Sequence, residues 1–452
     1  MTPETLALQE LIAAWPLLSD SDRVEGFSIL SRVDAEELFF GLTPREQINL
    51  LLALPQAEQK IWVRILDPDD AVDLIQLAEP DQRESLMNLL DDNTRREVAA
   101  LLAYAEDEAG GLMNPRFARL RPDMTLDEAI AYLRRQTRDR VESIYYAYVL
   151  DNQQKLLGVV SLRQLMTSPP ASRVRDIMHT ELTTVSEDLD QEAVSLIFAK
   201  SDLLALPVVD AEGCMKGIVT GDDIVDVVKE EATEDIQKIG GMEALDEPYL
   251  EAGFYEMIKK RGGWLAILFL GETLTATAMG FFEAEIERAA VLALFIPLII
   301  SSGGNSGSQA CTLVIRAMAL GEVKLRDWFR VVRREILTGF SLGTLLGSIG
   351  VARILLWEFI WRSIKHEPLY GDHYLLIALT VGFSLVGVVL WGTLSGSTLP
   401  FVLRSFRLDP ASASAPFVAT LVDVTGLIIY FGFASIILSG SLLARAPDGW
   451  SY

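Results

Sequence analysis

Apolar and polar positions follow three different rhythms along the 452-residue chain. From Glu4 to about Ala105 apolar residues recur three and four positions apart, interrupted by "LTPREQ", "LALPQAEQ" and "LDPDDAVD". That spacing marks amphipathic helices, and breaks so close together predict a superhelix of short antiparallel ones. "VDAEELFFGLTPREQ", "LDPDDAVDLIQLAEPDQRE" and "LLDDNTRREV" read as loose repeats of a helix pair with an acidic turn. From Gly110 to about Lys229 strands alternate with helices. "KLLGVVSLRQLM" and "CMKGIVTGDDIV" are two copies of a strand, turn and helix, preceded by the strand-and-turn stretches "YYAYVLDNQQ" and "ALPVVDAEG". A polar stretch from Val227 to Gly263 has helical spacing and joins this region to the carboxyl-terminal part of the chain.

That part carries long apolar runs: Trp264 to Phe282, Ala289 to Ile315, Ile336 to Trp361, Tyr374 to Val402 and Phe417 to Leu443. About 20 apolar residues span the hydrocarbon core, so these predict five transmembrane helices. The expected fold class is a multidomain membrane protein: an α-helical superhelix (1–109), an α/β pair (110–173 and 174–232), a connecting helix (233–258) and an all-α transmembrane domain of five helices (259–452).

Charge divides the chain at the same place. Up to Ile258 there are 23 Lys and Arg against 50 Asp and Glu; from Lys259 onward there are 16 against 13. A surface as negative as that of the first half repels nucleic acid and concentrates cations, although most charged runs are solvated faces or helix amino termini that favour acids. Basic residues cluster before the first span (Lys259, Lys260, Arg261), between the second and third, and between the fourth and fifth (Arg404, Arg407). The positive-inside rule therefore places the amino-terminal half in the cytoplasm of a bacterial cell and, after five spans of the lipid bilayer, the carboxyl terminus on the outer side of the membrane. "MTPETLALQELIAAW" lacks the form of a signal peptide. Two cysteines exclude a disulfide framework, and three isolated histidines have no zinc-binding spacing.

Two spans carry candidate chemistry. "TLVDVTGLIIYFG" puts Asp423 into an apolar helix, where a carboxylate costs roughly 2.5 to 3.5 kcal/mol on insertion scales and is a functional candidate by default. Thr420, Ala419, Gly426 and Tyr430 lie at helical offsets from it. The second span reads "PLIISSGGNSGSQACT": helix packing accounts for Gly303 and Gly307, but not for Asn305 and Gln309, which point to a water-lined pore. Oxygen donors without imidazole or thiolate select magnesium, calcium or manganese. Glu272 is a second carboxylate in the spans, either part of that chemistry or a snorkelling, protonated bystander. No Walker motif, phosphorylated-aspartate signature or catalytic triad marks an enzyme.

The strand-turn-helix copies resemble tandem CBS domains, whose cleft takes a nucleotide or an ion. The family's adenosine-binding pattern, a Ser or Thr followed three residues on by Asp, is matched by Thr220 and Asp223; the first copy has Ser161 but Gln164. The resemblance implies an ATP site there, with Tyr146 and Arg163 as base and phosphate contacts.

"SSGGNSGSQACTLVIRAMALGEV", "DWFRVVRREI" and "PFVATLVDVTGLIIYF", with "EDEAGGLMN" and "EEATEDIQKIG", resemble the MgtE family of magnesium channels. The likeness runs from about Asp34 to Leu443 and implies a homodimer with its pore on the twofold axis, between the second and fifth spans. By position it makes Asp423 the pore carboxylate, with Asn305 beside it and Asp409 at the cytoplasmic mouth; Ala415 departs from the family pattern. It maps Mg2+-sensing carboxylates onto Glu37, Asp69 and Asp73, onto Asp190, Glu192, Asp202, Asp223 and Asp226, and onto Glu231, Glu234 and Asp235 of a plug helix. The implied function is a Mg2+ channel closed by cytosolic Mg2+; the alternatives are a carrier of Mn2+ or Co2+, or a CBS-based membrane sensor that conducts nothing.

Overall fold

The computed structural model describes residues 3–136, 141, 143–245, 249–250, 252–439 and 441–442. The chain divides into two compact units, 1–229 and 230–452.

The first unit begins with short helices: α1 (Pro3–Ala14), α2 (Asp20–Ser28), α3 (Arg32–Gly41), α4 (Pro44–Ala53), α5 (Gln56–Val63), α6 (Pro68–Leu77), α7 (Pro80–Leu89) and α8 (Asp92–Leu101). Their starts are written locally. Ser19, Ser31, Thr43 and Asp91 accept backbone N–H groups as N-caps, and Pro44, Pro68 and Pro80 stand in first turns, where a missing N–H costs nothing. Thr43 and Glu46 complete a capping box. Apolar faces meet inside, where Trp62 lies 4.9 Å from Phe27 and 5.1 Å from Phe39, centroid to centroid.

The turn-like α9 (Ala109–Leu112) leads into two three-stranded sheets. The first copy holds β1 (Arg119–Leu120), α10 (Leu126–Gln136), β2 (Tyr146–Leu150), β3 (Leu156–Ser161), α11 (Leu162–Thr167) and α12 (Val174–Ile177). The second holds β4 (Val185–Ser186), α13 (Gln191–Ser201), β5 (Ala205–Val209), β6 (Met215–Thr220) and α14 (Gly221–Ile239). In each, a parallel pair is followed by an antiparallel one with the same irregularity near its end. Tyr146 pairs with Ser161 as Ala205 pairs with Thr220, so the duplication read in the sequence is also a duplication of register. Phe117, Tyr148, Leu150, Met215 and Ile218 form one core from both copies.

The connector differs from expectation. It is not a separate helix over 233–258: α14 runs unbroken from Gly221 to Ile239 and stops at Gly240 and Gly241. Gly241 adopts φ +76°, which a side chain resists, and helix resumes at Phe254.

The second unit contains five helical segments long and apolar enough to cross a membrane, at 254–281, 290–319, 325–365, 374–405 and 415–438. They comprise α15 (Phe254–Phe281), the short α16 (Glu283–Arg288) outside the spans, α17 (Ile296–Ala319) behind a 3-10 turn, α18 (Trp328–Lys365), α19 (Tyr374–Ser405) and α20 (Ala415–Leu438). α19 packs on α17, α18 and α20. A Cβ on Gly392 or Gly396 of α19 would collide with the carbonyl oxygen of Gly303 or Gly307 of α17, so these backbones touch directly. Ser306 and Thr393 join their hydroxyls across the same contact at 2.7 Å. α15 packs along α20, and its apolar window is not buried within the chain.

Candidate ion path and cytosolic control sites

α17 has two faces because glycine and amide positions fall a quarter-turn or more apart around it. Gly303, Gly304, Ser306, Gly307 and Ala310 are buried against neighbouring helices, whereas Ser301, Asn305 and Gln309 form an exposed stripe. The glycines serve packing and the amides do not, as their spacing predicted. Asn305 Nδ2 reaches Ser301 Oγ at 3.5 Å along this stripe.

α20 runs antiparallel to α17: Val422 meets Gly303, and Val418 meets Gly307. That register sets Asp423 level with Ser302, and Asn305 level with Thr420. The two expected pore residues therefore belong to packed neighbours, about one turn apart in height. Asp423 is half-buried, and Glu272 of α15 lies within hydrogen-bond reach of it. The packing of Gly271 on Thr420 brings α15 close enough for that. Midway along α17, Ser308 Oγ donates to the Ala415 carbonyl at the start of α20 at 3.1 Å, so Ala415 is engaged through its backbone.

Asp409 opens the turn between α19 and α20, where its Oδ1 accepts the Ala411 N–H at 2.8 Å. Its Oδ2 accepts Lys238 Nζ at 2.6 Å, and the same ammonium pairs with Glu234. Burial pulls the Lys238 ammonium down, but its bonds to Asp409 and Glu234 outweigh that and hold it above the usual lysine range. Partial burial, then the nearby charges of Asp409 and Glu231, raise Asp235 to about 6. Glu231, Glu234, Asp235 and Asp409 thus share one neighbourhood, with Lys238, which the sequence reading missed, among them.

In the first unit, the start of α6 meets the start of α14. Asp69 Oδ1 accepts Asn114 Nδ2 at 3.1 Å, and Arg116 pairs with Glu97 at 2.8 Å and with Asp67 at 3.5 Å. Desolvation by the surrounding protein, then the charges of Asp67 and Asp222, raise Asp70 to about 6, although its side chain still reaches solvent. Asp223 is raised to about 6, by burial first and then by Asp222 and Asp70, against the lowering hydrogen bonds of Thr220. Asp70 and Asp222 were overlooked because the signal that finds them, a carboxylate in the first turn of each of two helices, says nothing about which helices meet.

The remaining expected sensors are spread out. Glu37, Asp73, Glu192 and Asp226 are exposed, and Asp226 accepts Lys229 at 2.8 Å. Asp190 caps α13 through the Glu192 N–H, and Asp202 ends that helix at φ +50°. Among the described residues no group of three or more His, Cys, Asp or Glu converges to hold a metal ion.

The expected nucleotide residues fall on separate sheets. Tyr146 and Arg163 stand beside Ser161 at the end of β3, whereas Thr220 and Asp223 close β6. Gln164 is already engaged, accepting Ser161 Oγ at 2.9 Å and meeting His179 Nε2 at 2.8 Å.

The MgtE family model, described as a divalent cation transporter, matches residues 296–433. The MgtE intracellular N domain matches 6–107, and the CBS domain matches 109–170 and 174–230. The magnesium transporter MgtE of Thermus thermophilus is 40% identical over 438 residues, covering 96% of this chain and 94% of the relative. That of Bacillus subtilis is 30% identical over 418 residues, covering 92% and 89%. The crystal structure of the cytosolic domain of the Mg2+ channel MgtE in complex with ATP is 41% identical, covering 49% of this chain and 90% of its own, with a TM-score of 0.46. On the extent of the likeness to the Thermus transporter, this chain belongs to the MgtE family of divalent cation transporters.

Proposed function

We propose that the chain is a magnesium-selective channel that carries Mg2+ into a bacterial cytoplasm and closes when cytosolic Mg2+ rises. One observation carries the reading: Asp423, in the fifth apolar helix, lies against the helix whose exposed stripe is Ser301, Asn305 and Gln309. In a homodimer, two copies of Asp423 face one another at the subunit seam in the cell membrane. Magnesium sheds its water reluctantly, so two carboxylates with Asn305 and nearby carbonyls hold it largely hydrated and select by the size of that shell. Inward movement along 100 mV yields about 4.6 kcal/mol for a divalent ion, twice the single-charge value. No pump and no catalytic step belong to this reading, and the carboxyl terminus lies outside.

Closure follows from like-charge repulsion. Two carboxylates about 4 Å apart repel by roughly 4 kcal/mol at an effective dielectric of 20, and a bridging Mg2+ removes that cost. The expected sensors are those on α3, α6, α13 and α14, with Asp70 and Asp222 added by their proximity to Asp223. Closure requires the ion to bind the closed arrangement better than the open one. An adenine nucleotide enters as a modulator at Thr220 and Asp223.

The test is Mg2+ flux into liposomes by the purified protein, wild type against Asp423→Ala. Loss of flux in the variant is expected, and equal flux would take Asp423 out of the path. Excess Mn2+ or Co2+ tests selectivity, and a wild type that passes no divalent ion would favour a non-conducting sensor.

A further inference from the structure

α18 is longer than the membrane it crosses. Its 38 residues extend roughly 57 Å at about 1.5 Å each, against about 30 Å of hydrocarbon core. Its apolar run begins at Ile336, so the first two turns, 328–335, stand in the headgroup layer, on the same side of the membrane as the amino-terminal half. Val331 packs against Val314, Met318 and Phe401, which fixes how the helix is turned. Phe329 and Arg333, two positions to either side, point away from that packing, in line with Leu337 and Phe340, which are 65% and 56% exposed. Arg333 thus stands directly above an outward apolar face of the span.

The charges here run against the helix that carries them. Arg330, Arg333 and Arg334 are exposed in its first two turns, behind an exposed Arg326, where the helix dipole favours acids, and the first turn holds no acid. Arg330 meets Arg333 and Arg334 at offsets where like charges repel. Counter-charge within the chain is thin: Arg330 reaches Asp327 at 3.6 Å, and Arg334 lies near Glu335. Asp327 is already engaged, its Oδ2 accepting the Lys324 N–H at 3.1 Å. Among the described residues Arg326 and Arg333 meet no carboxylate. Trp328 and Phe329 expose rings of the kind that settle at headgroup level. The positive-inside rule asks for basic residues somewhere in this loop; it does not ask that they stack above an apolar face. An anion from outside the chain completes the arrangement, and at this depth that anion is a lipid phosphate, whose oxygens the guanidinium fork matches.

We propose that the start of α18 is a binding site for an anionic phospholipid of the cytoplasmic leaflet: Arg330, Arg333 and Arg334 hold its headgroup, and its acyl chains lie along Leu337 and Phe340. The lipid's net negative charge supplies what the helix lacks, so an anionic headgroup is held in preference to a zwitterionic one. The site follows from the placement of the chain in the membrane and does not depend on whether the chain conducts.

The experiment places the full-length protein in nanodiscs of phosphatidylcholine, alone or mixed with phosphatidylglycerol, and reads hydrogen exchange over residues 323–335. In the wild type the anionic lipid should slow that exchange roughly threefold to tenfold. Arg330→Gln, Arg333→Gln and Arg334→Gln combined should abolish the difference. Arg333→Gln alone removes no ion pair within the chain and should lose much of it, which decides the matter if the triple variant does not fold. Inorganic phosphate added to phosphatidylcholine discs should change nothing. Equal exchange of the wild type in the two lipids would overturn the proposal, and is the result expected if a second copy of the chain covers this face. Variants that keep the full lipid effect would overturn it as well, and so would free phosphate acting as strongly as phosphatidylglycerol, which would mark a site for a soluble anion.

Discussion

Thr220 Oγ1 donates a hydrogen bond to Asp223 Oδ2 over 2.8 Å at the point where β6 becomes α14, and it also bonds Asp222. The hydroxyl stabilises the ionised carboxyl, yet burial and the neighbouring acids prevail and raise Asp223 to about 6. This corner crowds acidic groups together.

The first prediction concerns pH. A carboxyl whose folded value lies near 6, above the ordinary 3.8, binds protons more tightly in the folded than in the unfolded state. Its contribution therefore grows as pH falls from about 6 towards 4 and is lost as pH rises through 6. In chelator, the cytosolic half should melt at a higher temperature at pH 5 than at pH 7.5, with Asp223 contributing on the order of 1 to 2 kcal/mol. Asp70 is exposed and contributes less. Asp223→Asn, which cannot ionise, should melt above the wild type at pH 7.5 and lose most of the pH difference. Calorimetry of the two proteins at both pH values checks this; a wild type more stable at pH 7.5 than at pH 5 would refute it.

Glu272 leads to the second. A carboxyl beside Asp423 deepens the negative potential where a divalent ion is expected to pass, and a neutral side chain there removes that attraction. Glu272→Met should lower Mg2+ flux roughly three- to tenfold at low external Mg2+ and leave it near normal at saturation. Asp423→Ala should abolish flux at both. Concentration curves from one liposome preparation make the comparison, and a Glu272→Met curve that overlies the wild type would make the residue a bystander.

What could be read from the sequence was what repeats or accumulates locally. Five spans were legible because apolar length alone meets the bilayer's requirement, and the CBS pair because its strand-turn-helix unit occurs twice. Asn305 separated from Gly303 and Gly307 because helical offsets assign faces before any partner is known. Lys238 could not be paired with Asp409 in this way, since 171 residues lie between them and no periodicity spans that distance. The end of α14 was misplaced for a nearer reason: polar helical spacing continues past Gly240 and Gly241, where the backbone turns out of the helix. Asp190 and Asp202, expected as sensors, have local work at the two ends of α13.

Glu358, near the end of α18, supplies the last prediction. It is only 2% exposed and accepts Arg362 Nε at 2.6 Å and the backbone N–H groups of Leu369 and Tyr370 at 3.0 Å each. Arg362 is held in turn over the Tyr374 ring, 5.0 Å from its centroid, so one carboxylate closes the turn between α18 and α19. Removing it leaves two part-buried backbone donors without their acceptor and breaks a charge-assisted bond to a half-exposed arginine, at about 2 to 4 kcal/mol. Glu358→Gln keeps an amide oxygen for the backbone donors and loses the ion pair, at about 1 to 2 kcal/mol. Thermal unfolding in detergent should therefore rank wild type above Glu358→Gln and Glu358→Ala last, with Mg2+ flux per folded protein unchanged. Equal losses in the two variants would mean that the ion pair, and not the capping of Leu369 and Tyr370, holds the turn.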